Sequence, residues 1–120
     1  MAEHNETGTR GEELAANFLI KKGYLVIEKN WRFKNLEADI IALLDKTLVV
    51  AEVKTRSSNY FGEPESFVNK QKQKNLIKTA HEYIIRNNLD VDVRFDIISI
   101  VIGNNQMKIN HIEDAFSSTH

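Results

Sequence analysis

Two apolar runs, LEADIIALL (36–44) and TLVVAEVKT (47–55), are separated by only Asp45 and Lys46. Runs of that length, rich in Ile, Leu and Val, read as strands. A two-residue connection can only fold them back on each other as an antiparallel hairpin, because parallel strands need a crossover of a dozen residues or more. Two apolar strands pinned side by side need covering on both faces. The rest of the chain must therefore supply layers around them.

It has the material to do so. TRGE (9–12) reads as a capping box in which Thr9 and Glu12 satisfy each other's amides. The helix that follows would bury Leu14, Ala15, Phe18 and Leu19 and stop at Gly23. YLVIEKN (24–30) reads as a strand, and a long helix is expected over about 65–88, with Phe67, Leu76, Ile77, Ala80 and Ile84 as its apolar stripe. VDVRFDIISIVI (91–102) carries large apolar residues on both faces and suits a central strand. Asn104-Asn105 make a turn into a last strand, MKINHI (107–112). The order α-β-β-β-α-β-β predicts one mixed α/β domain, a sheet flanked by helices, over 9–116. Residues 1–8 are expected as a flexible segment and 117–120 as a tail.

Composition narrows the function. There is no cysteine, so thiolate metal sites, disulfides and Cys nucleophiles are excluded. The apolar runs are too short and too interrupted by charge to span a membrane, and the polar start MAEHNETGTRGEE is unlike a secretory or transit peptide. A cytoplasmic protein is expected. With 16 basic and 17 acidic residues the net charge is −1, yet residues 46–78 hold seven basic residues against three acidic ones. Such a local excess suits phosphate binding at one site, and equally a solvated helix face. The four histidines are scattered, and no glycine-rich phosphate loop occurs.

The hairpin itself holds the chemistry. With Asp45-Lys46 as the loop, Asp39 faces Glu52 and Glu37 faces Lys54; with Leu44-Asp45 as the loop, Glu37 faces Glu52. Either register keeps these four residues on one face, whereas a three-residue loop would split the carboxylates between faces. Carboxylates opposed across a half-buried sheet repel, and a hard divalent cation, Mg²⁺ or Mn²⁺, offsets that cost. A neighbouring lysine adds what phosphodiester hydrolysis needs, a charge for the transition state and help in orienting or deprotonating water. The plain alternative is a cross-strand ion pair, Asp39–Lys54 or Glu37–Lys54.

Asp39 followed by Glu52-Val53-Lys54 resembles the PD-(D/E)xK signature of restriction-endonuclease-like nucleases. The chain from about 8 to 116 is similar to the bacterial YraN family, described as endonucleases and related in fold to archaeal Holliday junction resolvases. The resemblance rests on GTRGEELA (8–15), KKGYLVIEKNWR (21–32), EADIIA (37–42), VAEVKTR (50–56), FGEPESFVNKQKQ (61–73), RFD (94–96) and Ala115-Phe116. It departs at Leu36, where the family usually has Gly, and at Ala38, where the signature has Pro. The resemblance implies a restriction-endonuclease-like fold with Asp39, Glu52 and the Val53 carbonyl as metal ligands and Lys54 as catalytic lysine. It also implies Glu12 as an acid near the metal, in competition with its capping role, and Glu37 as a supporting acid.

On the long helix Lys70, Lys74 and Lys78 line one edge at helical spacing, while Lys72 borders the other side of the stripe and matches the family's helix lysine. Together with Arg56 they are the candidate contacts to nucleic acid. Trp31 and Tyr60 are candidates for stacking on bases, Trp31 also for the core. Asp96 is expected to contact Arg94 or a backbone amide. The expected activity is metal-dependent hydrolysis of DNA, with branched or structured forms among the substrates the resemblance implies; a nucleic-acid-binding module without turnover is the alternative. A homodimer is compatible with the sequence.

Overall fold

The computed structural model describes residues 6–57, 68–103 and 105–118, with side chains from Thr9 onward. Helix α1 (Glu6–Lys21) precedes β1 (Leu25–Phe33), β2 (Leu36–Leu44) and β3 (Thr47–Ser57); helix α2 (Lys70–Asn87) leads to β4 (Asp92–Gly103) and β5 (Gln106–Phe116). The five strands form one sheet in chain order, antiparallel throughout except for β3 and β4, which run parallel. The mixed α/β class and the element order are those expected. Among the described residues no helix is long and apolar enough to cross a membrane. Tyr60 and Phe67 lie outside the described residues.

Each face of the sheet has its own core. Ala15, Ala16 and Leu19 of α1 pack on Ile40, Ala42, Val49, Ala51, Ile98 and Ile100. Leu76, Ala80 and Tyr83 of α2 pack on Ile41, Leu48, Val50, Phe95 and Ile97 on the other side. The alternation of consecutive residues between the two clusters is the period-2 signature of strands buried on both faces.

Both helices end in the same way. Gly23 has φ of 98°, its N–H donates to the Ile20 carbonyl and that of Tyr24 to Leu19. Asn88 (φ 53°) and Leu89 repeat the pattern on Ile85 and Ile84. A left-handed residue after the last turn lets the chain reverse while satisfying the final carbonyls. The start of α1 differs from expectation. The helix begins at Glu6, so Thr9 already lies inside it and the Thr9–Glu12 capping box does not form. Helix α2 starts later than about 65 would give, at Lys70, with the Asn69 side chain accepting the Lys72 N–H at 2.9 Å.

The hairpin has the expected two-residue loop. Leu44 pairs with Thr47 around Asp45-Lys46, and the register runs to Ile40↔Ala51. There the ladder ends.

Candidate functional site

Beyond Ile40↔Ala51 strands β2 and β3 part, where both β2 and its β1 neighbour are irregular. Ile40 packs in the α1-side core and Ala38 in the α2-side core, although residues two apart in an unbroken strand share a face. Alternation therefore breaks at Asp39. Across β1, Asn30 lies between the pairs Lys29↔Ile40 and Trp31↔Ala38 and takes a left-handed φ of 55°. Asp39 thus has no regular place on either face. Its Oδ2 accepts the Val53 N–H at 2.8 Å, a carboxylate standing where a ladder carbonyl would have been. A strand residue presents its N–H and C=O to the same side, so the Val53 carbonyl faces the same opening.

Glu52 lies on the α2 side of β3, 4% exposed and enclosed by apolar strands. Two lysines compensate it: Lys54 Nζ at 3.4 Å and Lys72 Nζ, from the first turn of α2, at 3.0 Å. Burial pulls the Lys72 ammonium down, but Glu52 more than offsets this and holds it above its ordinary value. Asp39 has no ion-pair partner among the described residues. Burial and then the charge of Glu52 push its carboxyl up to about 7, with Glu12 adding to the rise; the Val53 amide and Lys72 oppose it without prevailing. Glu12 reaches this corner from α1, its carboxylate accepting from Asn30 Nδ2 at 2.8 Å. The close approach of α1 depends on Gly11, where a Cβ would collide with the Thr55 side chain.

The structure brings Asp39, Glu52, Lys54, Lys72 and Glu12 together where β2 and β3 open. Glu37, Arg56, Lys70, Lys74 and Lys78 lie outside this group, although the charge of Glu37 still reaches Lys72. Glu37 does not face Lys54; it is exposed and ion-pairs with Arg32 at 3.2 Å across β1, because its own strand has left β3 by that point. Neither of the simple ion pairs with Lys54 forms. Arg56 lies further along β3 and donates to the Thr55 carbonyl at 3.0 Å. Lys70, Lys74 and Lys78 are exposed along α2.

Among the described residues no group of three or more His, Asp or Glu side chains is arranged to hold a metal ion by itself. The corner offers a smaller set of hard oxygens: two carboxylates of mutually repelling charge and one strand carbonyl. That set fits Mg²⁺ or Mn²⁺, which keep several waters, and does not fit Zn²⁺.

A second polar cluster was only half visible in the sequence. Asp96, 1% exposed on the α1 side of β4, accepts from Arg94 Nε at 2.9 Å and Nη2 at 2.8 Å, and from the Asp114 amide at 3.0 Å. His111 Nε2 lies 2.7 Å from the same carboxylate, and Lys22 Nζ 2.8 Å from His111 Nδ1. Burial pushes the Asp96 carboxyl up, but the His111, Arg94 and Asp114 hydrogen bonds win and hold it below its usual value. The contact with Arg94 follows from alternation on one strand. His111 gave no signal, because one histidine on a short strand has no pattern.

The model of the uncharacterised protein family UPF0102 matches residues 11–100, which include every residue of the Asp39 corner. The chain belongs to UPF0102. A UPF0102 protein of Flavobacterium psychrophilum is 51% identical over 116 residues, covering 97% of this chain and 98% of its own. Those of Christiangramia forsetii and Bacteroides thetaiotaomicron are 49% and 44% identical over 116 residues, covering 97% of this chain and 98% and 96% of theirs. The YraN-like resemblance is thereby shown at the level of this family.

Proposed function

We propose that this UPF0102 chain is a metal-dependent endonuclease of restriction-endonuclease-like fold that hydrolyses phosphodiester bonds in DNA, with the Asp39–Glu52–Lys54 corner as its active site. One observation carries the reading: an aspartate without an ion-pair partner among the described residues, a buried glutamate and two lysines gather where β2 and β3 part. A scaffold gains nothing from an aspartate kept short of partners in that place. A carboxyl pushed up by burial, beside a second carboxylate and lysines in an opening, marks a candidate functional site.

Asp39, Glu52 and the Val53 carbonyl would hold Mg²⁺ or Mn²⁺. Such an ion would supply Lewis-acid chemistry for phosphodiester hydrolysis. Lys54 sits partly exposed beside Glu52, where its ammonium neutralises charge growing on the phosphate oxygens. Lys72 fixes the Glu52 carboxylate from the helix side. Glu12, whose carboxylate accepts from Asn30, would be the proton acceptor. Lys70, Lys74 and Lys78 form a cationic edge for backbone phosphates on α2, the same helix that brings Lys72 to Glu52.

That exposed edge also favours a second reading, a DNA-binding module without turnover. Purified protein incubated with duplex, single-stranded and branched DNA in Mg²⁺, Mn²⁺ or EDTA separates the two. Cleavage is expected with either metal, none in EDTA, and a loss of about 10²-fold or more in Lys54→Ala. Binding without cleavage of any of the three DNAs leaves the module.

A further inference from the structure

The chain's single tryptophan lies at the tip of the β1–β2 hairpin, next to the corner but outside it. Trp31 and Phe33 are two apart on the edge strand β1, and their rings run nearly parallel, 6.3 Å between centroids and 15° between planes. Tyr83 of α2 meets Trp31 edge-on at 5.0 Å and is itself fixed by donating to Glu28 at 3.1 Å, so the indole is held in place. The covering of Phe33 is different in kind. The Arg86 guanidinium lies 4.2 Å from the ring centroid and the Lys34 ammonium 5.4 Å from it. Both rings remain partly exposed. Trp31 packs partly against the α2-side core, whereas Phe33 belongs to neither core cluster and is covered by a planar cation at the edge of the sheet.

Its position matters as much as its chemistry. Trp31 pairs with Ala38, the residue before Asp39, and Phe33 with Leu36 at the hairpin end. Trp31 packs in the α2-side core, the side on which Glu52 and Lys72 meet. At about 3.3 Å per residue the rings extend along the strand to roughly 10 Å from Asp39.

We infer that Trp31, Phe33 and Arg86 form a stacking platform for unpaired bases of a DNA strand whose backbone passes the Asp39–Glu52 corner, which sets the substrate class as DNA with unpaired nucleotides beside the cleaved bond. The inference rests on the nuclease reading for that corner. A base face stacks on aromatic rings and on a guanidinium plane regardless of sequence. Lys34 and Arg86 meet the phosphates that come with it. A duplex keeps its bases within its own stack and offers only phosphates, so the platform discriminates between the two forms.

The test uses the full chain in EDTA, where nothing is cut. A twenty-nucleotide oligo(dT) and a duplex of equal length are titrated at one fixed salt concentration, with Trp31 emission and anisotropy of labelled DNA as readouts. Oligo(dT) is expected to quench Trp31. Phe33→Leu, which keeps apolar volume, and Arg86→Ala, on the exposed face of α2, are each expected to weaken oligo(dT) binding about five-fold or more, the low end for one stacked base, while duplex affinity and melting temperature stay within error. Absence of quenching, no binding of oligo(dT), or equal weakening of both DNAs in both variants would overturn the platform. Cleavage is scored separately in Mg²⁺. Selective binding without cleavage keeps the platform and removes the nuclease reading; cleavage of duplex and unpaired DNA alike, unchanged in Phe33→Leu, does the reverse.

Discussion

Asp39 and Asp96 occupy the same kind of position and experience opposite surroundings. Each sits where a strand ladder is interrupted, β2–β3 after Ile40↔Ala51 and β4–β5 between Phe95 and Ile97, and each accepts a main-chain N–H across the break. Asp96 is then surrounded by a bidentate arginine and a histidine and held below its ordinary pKa. Asp39 has two glutamates for neighbours and is pushed up to about 7. A buried carboxylate that the fold needs is compensated within the fold. Asp39 is left short, as a residue would be whose compensation arrives from outside.

The comparison breaks first at Asp96. Asp96→Asn should remove about 3 kcal/mol or more of stability, because Arg94 and His111 lose the charge around which they are packed. The denaturant midpoint reads it directly. A loss below about 1 kcal/mol would make the two aspartates equivalent and the contrast meaningless.

The pH dependence of stability sharpens it, since the two groups carry opposite signs. Asp39 binds a proton in the folded chain up to about pH 7, while its unfolded value is 3.8. Between those values the folded state holds more protons, so stability falls as pH rises. Asp39→Asn abolishes that fall, and its Oδ1 can still accept the Val53 N–H. The variant should equal the wild type near pH 4 and exceed it by about 1–2 kcal/mol above pH 7, a figure well under the full linkage value because Asp39 is partly exposed. For Asp96 the folded value is depressed, so its contribution is present above the unfolded value and is lost as pH falls through the folded one. The deficit of Asp96→Asn should therefore shrink in acid. Parallel curves for both variants across pH 3–8 would contradict the assignment.

The smallest effect lies furthest from either aspartate. Changing Lys70, Lys74 and Lys78 together to Ala should leave stability within about 0.5 kcal/mol and reduce the salt dependence of DNA affinity by up to about three counterions. An unchanged salt slope would leave them as ordinary surface charge.

The same two residues show how far the sequence could be read. The hairpin register was legible because a two-residue connection between apolar runs admits few alternatives, and with it the neighbourhood of Asp39 and Glu52. The separation of Lys72 from the Lys70, Lys74 and Lys78 edge was legible from the helix stripe, whereas its ion pair with Glu52 was not. The parting of the strands was not. It goes with the left-handed Asn30 and the break at Asp39, which the hydrophobic period does not encode, and so the hairpin registers set Glu37 against Lys54 or Glu52 rather than Arg32. The Thr9 capping box failed for a related reason: a local motif signals a helix start only if no turn forms before it, and α1 begins at Glu6. At Asp96 the sequence pointed to Arg94 or a backbone amide, and both contacts are present, while His111 comes from a partner strand whose register shifts.

The central claim is that Asp39 awaits a cation. Thermal melts of wild type and Asp39→Asn, each in EDTA and in millimolar Mn²⁺, test it most directly. The expected result is that Mn²⁺ raises the wild-type midpoint, by about 1.4 kcal/mol of stabilisation at ten times the dissociation constant, that Asp39→Asn in EDTA melts at or above the wild type, and that Mn²⁺ leaves the variant unmoved. A wild type indifferent to Mn²⁺, beside a variant destabilised equally in both conditions, would contradict it.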